Sequence, residues 1–216
     1  MFCMTLKKIV VIRHAQSQED INPNLNGELE DYQISITKEG KHQIDNIIDK
    51  IQIILSPFES VKVYSSPSNR ALQTTSVICS QLDLDKSITT VEPRIRNLNW
   101  GNTTSINVKE IERERYKKGV LYYQFPGGDD SSIFIKNIGN FVNELLTVGK
   151  QKDFSNSVVI ITHGFALRII AKFLLKMSDD DFRWIKNPPN CYIANFQIDN
   201  FRNITIDKPL SCRSPF

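Results

Sequence analysis

The chain lacks the features that would tie it to a membrane, to nucleic acid or to a disulfide framework. No run approaches the ~20 apolar residues needed to span a bilayer. The opening Met1-Phe2-Cys3-Met4-Thr5-Leu6-Lys7-Lys8 has no stretch long enough for a signal peptide. The four cysteines, Cys3, Cys79, Cys191 and Cys212, are scattered without Cys-x-x-Cys spacing. That argues against a zinc site and gives no support to a disulfide scaffold. A net charge of only +3 over 216 residues, with no Lys/Arg block, gives no sign of a nucleic-acid partner. No Gly-x-Gly-x-x-Gly follows the first apolar strand, which sets aside dinucleotide binding. There is no internal repeat and no linker. These absences point to a cytoplasmic chain with reduced thiols, no membrane or nucleic-acid partner, and one sizeable core. A single domain over residues 1–216 is expected.

What is present is an alternation of strand-like and helical patterns. Ile9-Val10-Val11-Ile12, Val61-Lys62-Val63-Tyr64 and Val158-Val159-Ile160-Ile161 are short β-branched runs suited to buried strands. Between them lie helical stripes. Thr37 is a candidate N-cap before Ile44, Ile47, Ile48 and Ile51, with Pro57 ending the segment. Ser68 precedes Ala71, Thr75, Ile78 and Leu82, and Asp130 or Ser131 opens a helix that carries Phe134, Ile138, Phe141 and Leu145 inward. Ala166 to Lys176 follows the third strand, and Ser178 caps a short helix through Ile185 that stops at Pro188-Pro189. The segments Tyr192 to Ile198 and Phe201 to Ile206 read as a hairpin around Asp199-Asn200. This order predicts an α/β three-layer sandwich, a mainly parallel sheet flanked by helices. Residues 94–130 fit the rhythm worst and are read as an excursion over the sheet edge. Packing is the expected role for most of Val120, Leu121, Tyr122, Tyr123 and Phe125.

In open α/β sheets ligands bind outside the carboxyl ends of the strands, and here three strands end in unusual polar residues. The first runs into Arg13-His14-Ala15-Gln16-Ser17, the second into Ser65-Ser66-Pro67-Ser68-Asn69-Arg70, and the third into Thr162-His163-Gly164. Two of the chain's three histidines stand directly after apolar strands. Taken singly, each His or Arg reads as structural or surface charge. Together at one rim they suit a phosphate, because guanidinium offers bidentate donors to a tetrahedral anion.

On these residues the chain resembles the histidine phosphatase superfamily, which includes the cofactor-dependent phosphoglycerate mutases. Arg13-His14-Ala15 is similar to the Arg-His-Gly pattern of that group. Ser65 to Thr74 and Thr162 to Arg168 are similar to its second and third motifs. Ile36-Thr37-Lys38-Glu39-Gly40 echoes its Leu-Thr-x-x-Gly. Pro126-Gly127-Gly128-Asp129 and Pro188-Pro189-Asn190-Cys191 are closest to the broad-specificity phosphatase branch. The resemblance implies a metal-independent phosphomonoesterase of the histidine acid phosphatase type, needing no cofactor and acting on a small phosphorylated metabolite. His14 would attack phosphorus and carry the phosphoryl group before water releases it. Arg13, Arg70 and a protonated His163 would offset charge on the phosphoryl oxygens, with Ser17, Asn22 and Gly164 as further binding residues.

The chain also departs from that pattern. Where the family places an acid, usually Glu, to protonate the leaving oxygen, the alignment through Trp100-Gly101-Asn102 puts Asn97. An amide cannot transfer a proton at neutral pH, and general acid catalysis contributes roughly 10²–10⁴ in rate. Glu92, Asp129 or Asp130 is expected to act instead, or turnover is reduced. Asp20 replaces an Asn that touches phosphate and is expected to turn outward, leaving Asn22 or the Gln16 backbone to serve. Ala15 is tolerable in place of Gly if its φ is negative. The alternative function is an impaired phospho-ligand binding module or scaffold, and a phosphoglycerate mutase comes third. The natural substrate, which depends on the loops from Asn99 to Pro126, and the oligomeric state have no readable code.

Overall fold

The computed structural model describes residues 5–22, 25, 29–56, 60–101 and 108–213. The readings placed on Cys3, Pro57 and Asn102 fall outside them. Its six-stranded sheet has the order β3-β2-β4-β1-β5-β6, built from β1 (Lys8–Arg13), β2 (Val61–Ser65), β3 (Thr89–Val91), β4 (Ser157–Thr162), β5 (Ile193–Ile198) and β6 (Ile204–Ile206). The first four run parallel, while β5 is antiparallel to both β1 and β6. β1 and β4 are the central strands, and every residue of β4 is buried. Strands covered on both faces read as unbroken apolar runs, which is why these two were the clearest in the sequence. β3, with no fully buried position, left no such trace.

Helices cover both faces. On one side Val10, Ile12, Val63, Val159 and Ile161 pack against Ile44, Ile51 and Leu55 of α2 (Lys38–Leu55) and Ala71 and Ile78 of α3 (Asn69–Gln81). On the other, Ile9, Val11, Val158 and Ile160 meet α5 (Ser131–Val148) and α6 (Gly164–Leu174), with Phe182 of α7 (Asp179–Trp184). The alternation of adjacent strand residues between the two clusters is the two-residue period of a strand. Each fully buried Ile or Phe contributes roughly 1.5–3 kcal/mol.

The caps follow the sequence closely. The Thr37 hydroxyl accepts from Gly40 N, Asp130 accepts from Ser132 N and Ile133 N, and Ser178 accepts from Asp181 N. Ser68 holds the N-cap position of α3 with no side-chain cap bond, because its hydroxyl is turned towards the site. Two helices that apolar periodicity did not show are α1 (Gln18–Ile21), with no buried residue, and α4 (Val108–Lys118), dominated by charge. The excursion reads as expected in one respect: Val120, Leu121, Tyr123 and Phe125 are buried, whereas Tyr122 is exposed. Among the described residues, no helix is long and apolar enough to cross a membrane. Among the described residues, Cys191 and Cys212 are free thiols.

Candidate active site

The parallel register sets the site. Arg13 pairs with Thr162 between β1 and β4, and Ser65 pairs with Ile161 between β2 and β4. The next residues on β1 and β4, His14 and His163, therefore leave the sheet at one level, with Ser66 one step lower beside Thr162. The two imidazoles stand with ring centroids 5.0 Å apart, tilted by 59°. Both are buried, as is Arg70 at 1 % exposure near the start of α3.

His14 Nδ1 lies 2.8 Å from the Ala15 carbonyl. A carbonyl only accepts, so Nδ1 carries the proton and Nε2 keeps its lone pair. Burial, with the charges of Arg70 and Arg13, holds the His14 pKa well below its ordinary value, against the opposing charge of Asp20. The ring is neutral. Ala15 is buried and is not among the residues with positive φ, so its methyl group is accommodated. Its N–H donates to Thr74 Oγ1 at 3.1 Å.

His163 Nε2 sits 2.8 Å from Ser66 Oγ and 3.2 Å from Ser68 Oγ. Its Nδ1 is buried and has no hydrogen-bond partner among the described residues. Burial first, then Arg70, His14 and Arg13, pushes its pKa well down. In the free protein burial, with two guanidinium groups in the same pocket, therefore holds His163 neutral; the protonated ring expected from the sequence belongs to the phosphate-bound site. Arg13 Nε and Arg70 Nε are likewise buried without partners among the described residues. Buried polar atoms are normally satisfied. Three unsatisfied nitrogens, all on side chains suited to anions, mark a place for acceptor oxygens.

Carboxylates surround this cluster. Asp20 is not turned outward as expected. Its Oδ1 accepts from Arg13 Nη2 at 2.6 Å, and its Oδ2 accepts from Ser17 N and Ser17 Oγ at 2.8 Å and from Asn190 Nδ2 at 3.1 Å. Donors fixed by the backbone make the inward position favourable for a charge. Burial opposes that charge, but Arg13 and the Ser17 bonds hold the Asp20 pKa below the usual carboxylate range. Ser17 is consequently committed to Asp20. Asn22 is exposed at the end of α1, and Gly164 is buried as the first residue of α6. Pro188 O accepts from Arg13 Nη1 at 2.7 Å, and Cys191 N donates to the Arg13 carbonyl at 3.1 Å. The Pro-Pro-Asn-Cys segment thus clamps the end of β1.

Two further acids touch Arg70. Glu19 Oε2 lies 3.3 Å from Nη2, while Asp31 accepts from Nη1 and from Ser68 Oγ. Asp31 carried no signal in the sequence, because the pairing depends on where residues 29–36 cross the rim.

The three carboxylates named as substitutes for Asn97 are committed elsewhere. Glu92 accepts from Arg94 N and Nε through Oε1 and from Arg94 Nη2 through Oε2 at 2.7 Å. Asp129 takes Arg96 in two bonds at 2.6 and 2.8 Å, and Asn99 N at 2.6 Å. Burial opposes the charge on both, but the arginine bonds outweigh it and lower both pKa values. Asp130 caps α5, and bonds from Ser132 and Gln124 bring its pKa down to about 2. Asn97 is half-buried, with its carbonyl accepting from Arg96 Nη1. Its segment is tied to β4 by Thr162 Oγ1 donating to Ile95 O at 2.7 Å.

Comparisons with known proteins agree with this geometry. The family model described as the histidine phosphatase superfamily (branch 1) matches residues 9–206. A phosphoglycerate mutase-like protein of Arabidopsis thaliana, AT74, is 23% identical over 207 residues, covering 89% of this chain and 65% of that protein. The chain thus spans about two thirds of that relative's length. The broad-range acid phosphatase DET1 of Saccharomyces cerevisiae is 24% identical over 116 residues, covering 52% of this chain and 35% of that protein. In three dimensions, a mycobacterial glucosyl-3-phosphoglycerate phosphatase superposes with a TM-score of 0.73 at 16% identity, covering 93% of this chain and 97% of that one. With a family model spanning all six strands and both histidine motifs, the chain belongs to the histidine phosphatase superfamily, branch 1.

Proposed function

We propose that the protein is a phosphomonoesterase that works through a phosphohistidine on His14. The observation that carries this reading is the neutral His14 ring. Its Nδ1 is tied to Ala15 O, while its Nε2 and three buried nitrogens beside it have no partner among the described residues. The Nε2 lone pair attacks phosphorus. Arg13 Nε, Arg70 Nε and His163 Nδ1 donate to the phosphoryl oxygens, where donors fixed in advance stabilise the transition state most. In the tautomer in which Ser66 Oγ donates to His163 Nε2 across their 2.8 Å contact, the neutral ring's proton sits on Nδ1, the atom with no partner among the described residues. An arriving dianion also raises the affinity of His163 for a second proton, so the ring becomes cationic as the site fills. These side chains supply the positive charge that phosphoryl transfer needs, and no step requires a metal.

Incubation with a radiolabelled phosphate ester and rapid acid-free quenching should trap label on His14, and His14→Ala should abolish both label and turnover while the fold persists. A His14→Ala protein that turns over phosphate esters at the wild-type rate would sink the proposal. One observation favours a second reading, a phospho-ligand binding module: Asn97 stands where the family has an acid. It predicts vanadate binding that depends on Arg70 with no phosphohistidine at any pH.

A further inference from the structure

We propose that Glu19 is the proton donor of this site, in place of the carboxylate missing at position 97; this rests on the phosphatase reading above. Neighbouring residues of α1 address the two arginines separately, Asp20 reaching Arg13 and Glu19 reaching Arg70. The two contacts differ in kind. Asp20 accepts four bonds of 2.6, 2.8, 2.8 and 3.1 Å and is committed as an anion. Among the described residues, Glu19 makes one contact through its carboxylate, to Arg70 Nη2 at 3.3 Å, longer than the roughly 2.7–2.9 Å of a charge-assisted bond. It lies at the mouth of the site, largely buried but with 20% of its side chain open to solvent, as a leaving alcohol requires.

The charges facing Glu19 come from every element around it: Arg70 from α3, Arg13 from β1, Asp20 from its own helix and Asp31 from the 29–36 segment. Burial favours its protonated form above all, Asp20 and Asp31 add to this, and the two arginines oppose it; the balance raises its pKa. Substrate tips the balance further. A phosphate that engages Arg70 removes Glu19's nearest counter-charge and brings a dianion beside it, and each change favours the proton. By contrast Glu92, Asp129 and Asp130 are all held below the normal range by bonds that phosphate binding does not touch.

In the first step the bond from His14 Nε2 to phosphorus forms as the bond to the leaving oxygen breaks, and the Glu19 proton passes to that oxygen, releasing the alcohol. Glu19 is then a carboxylate. In the second step it takes a proton from water as the water oxygen attacks phosphorus. Inorganic phosphate leaves, His14 is regenerated and Glu19 is again protonated.

The test compares p-nitrophenyl phosphate, whose leaving group needs little protonation, with glycerol phosphate, whose leaving group needs it. Glu19→Gln should lower kcat for glycerol phosphate by about 10²–10⁴, lower the aryl rate less than about tenfold, and keep vanadate affinity within about threefold. Adding Asn97→Glu to Glu19→Gln should recover part of the alkyl rate. The wild-type alkyl rate should fall as pH rises through the Glu19 titration, and Glu19→Gln should lose that limb. Equal loss on both esters would show that Glu19 only positions Arg70, and no loss on either would show that it is not used; each overturns the proposal while the phosphatase reading stands. Ester hydrolysis that survives His14→Ala would overturn both.

Discussion

His163 and His14 meet at 5.0 Å because Arg13 and Thr162 are register partners in the parallel β1–β4 ladder. Each histidine is simply the next residue after that pair, so its height above the sheet is fixed by the two central strands. His163 can therefore be altered without disturbing how His14 is presented. His163→Ala should leave the fold intact and lower kcat on p-nitrophenyl phosphate by about 10²–10³, the usual loss for one preorganised donor. Steady-state kinetics beside circular dichroism would check this. A loss below threefold would mean that Nδ1 does not contact the transferred group.

Both histidines are buried and neutral, with pKa values pushed below the ordinary 6.5. Unfolded, they bind protons from about pH 6.5 downward. In the window between that value and the lowered folded values the unfolded chain holds more protons, so stability falls as pH falls. The melting temperature should drop between pH 7.5 and pH 5, by about 2–4 °C for each kcal/mol lost in a chain of this size. His163→Asn should flatten part of that slope. An unchanged slope would show that these rings do not govern it.

Asp31 accepts from Arg70 and Ser68 while itself 49% exposed, so in the free protein it competes with phosphate for Arg70. An exposed carboxylate in such a pair contributes only about 0–1 kcal/mol. Asp31→Asn should therefore tighten vanadate or inorganic phosphate binding by roughly two- to fivefold, and Arg70→Lys should weaken it strongly by losing the planar fork. Calorimetric titration would measure both. Weaker binding by Asp31→Asn would instead make Asp31 a support for Arg70.

The Gln16 loop leans on α2 at Gly40, where an added Cβ would lie 2.3 Å from the Gln16 carbonyl oxygen. The same carbonyl accepts from Thr37 N at 2.9 Å, and Gln16 Oε1 accepts from Thr37 Oγ1 at 2.8 Å. Gly40→Ala must push this loop, two residues after His14, away from the helix. The expected cost is about 1–3 kcal/mol of stability, with a larger loss of kcat than Thr37→Ala, which removes a cap worth about 1 kcal/mol. Denaturant titration and turnover measured together would separate the two effects.

The sequence by itself determined the α/β class, the two central strands, Arg13, His14 and His163 at their ends, and Arg70 beyond β2. Fully buried strands must be written as runs of Val and Ile, and residues directly after such runs must emerge at the sheet edge. It also announced Thr37, Asp130 and Ser178 as caps, since capping is a local interaction. Tertiary structure alone decided the rest. The neutral state of His163 follows from its burial and from two arginines brought to it by β1 and α3. Asp20 faces inward because Ser17, Arg13 and Asn190 converge on it, and Asn190 is distant in sequence. Glu92, Asp129 and Asp130 looked like candidate acids until their partners were known, whereas Glu19, unmarked in the sequence, lies against Arg70. Which carboxylate holds a proton depends on burial and on neighbours from several elements, and neither is written in the order of the residues.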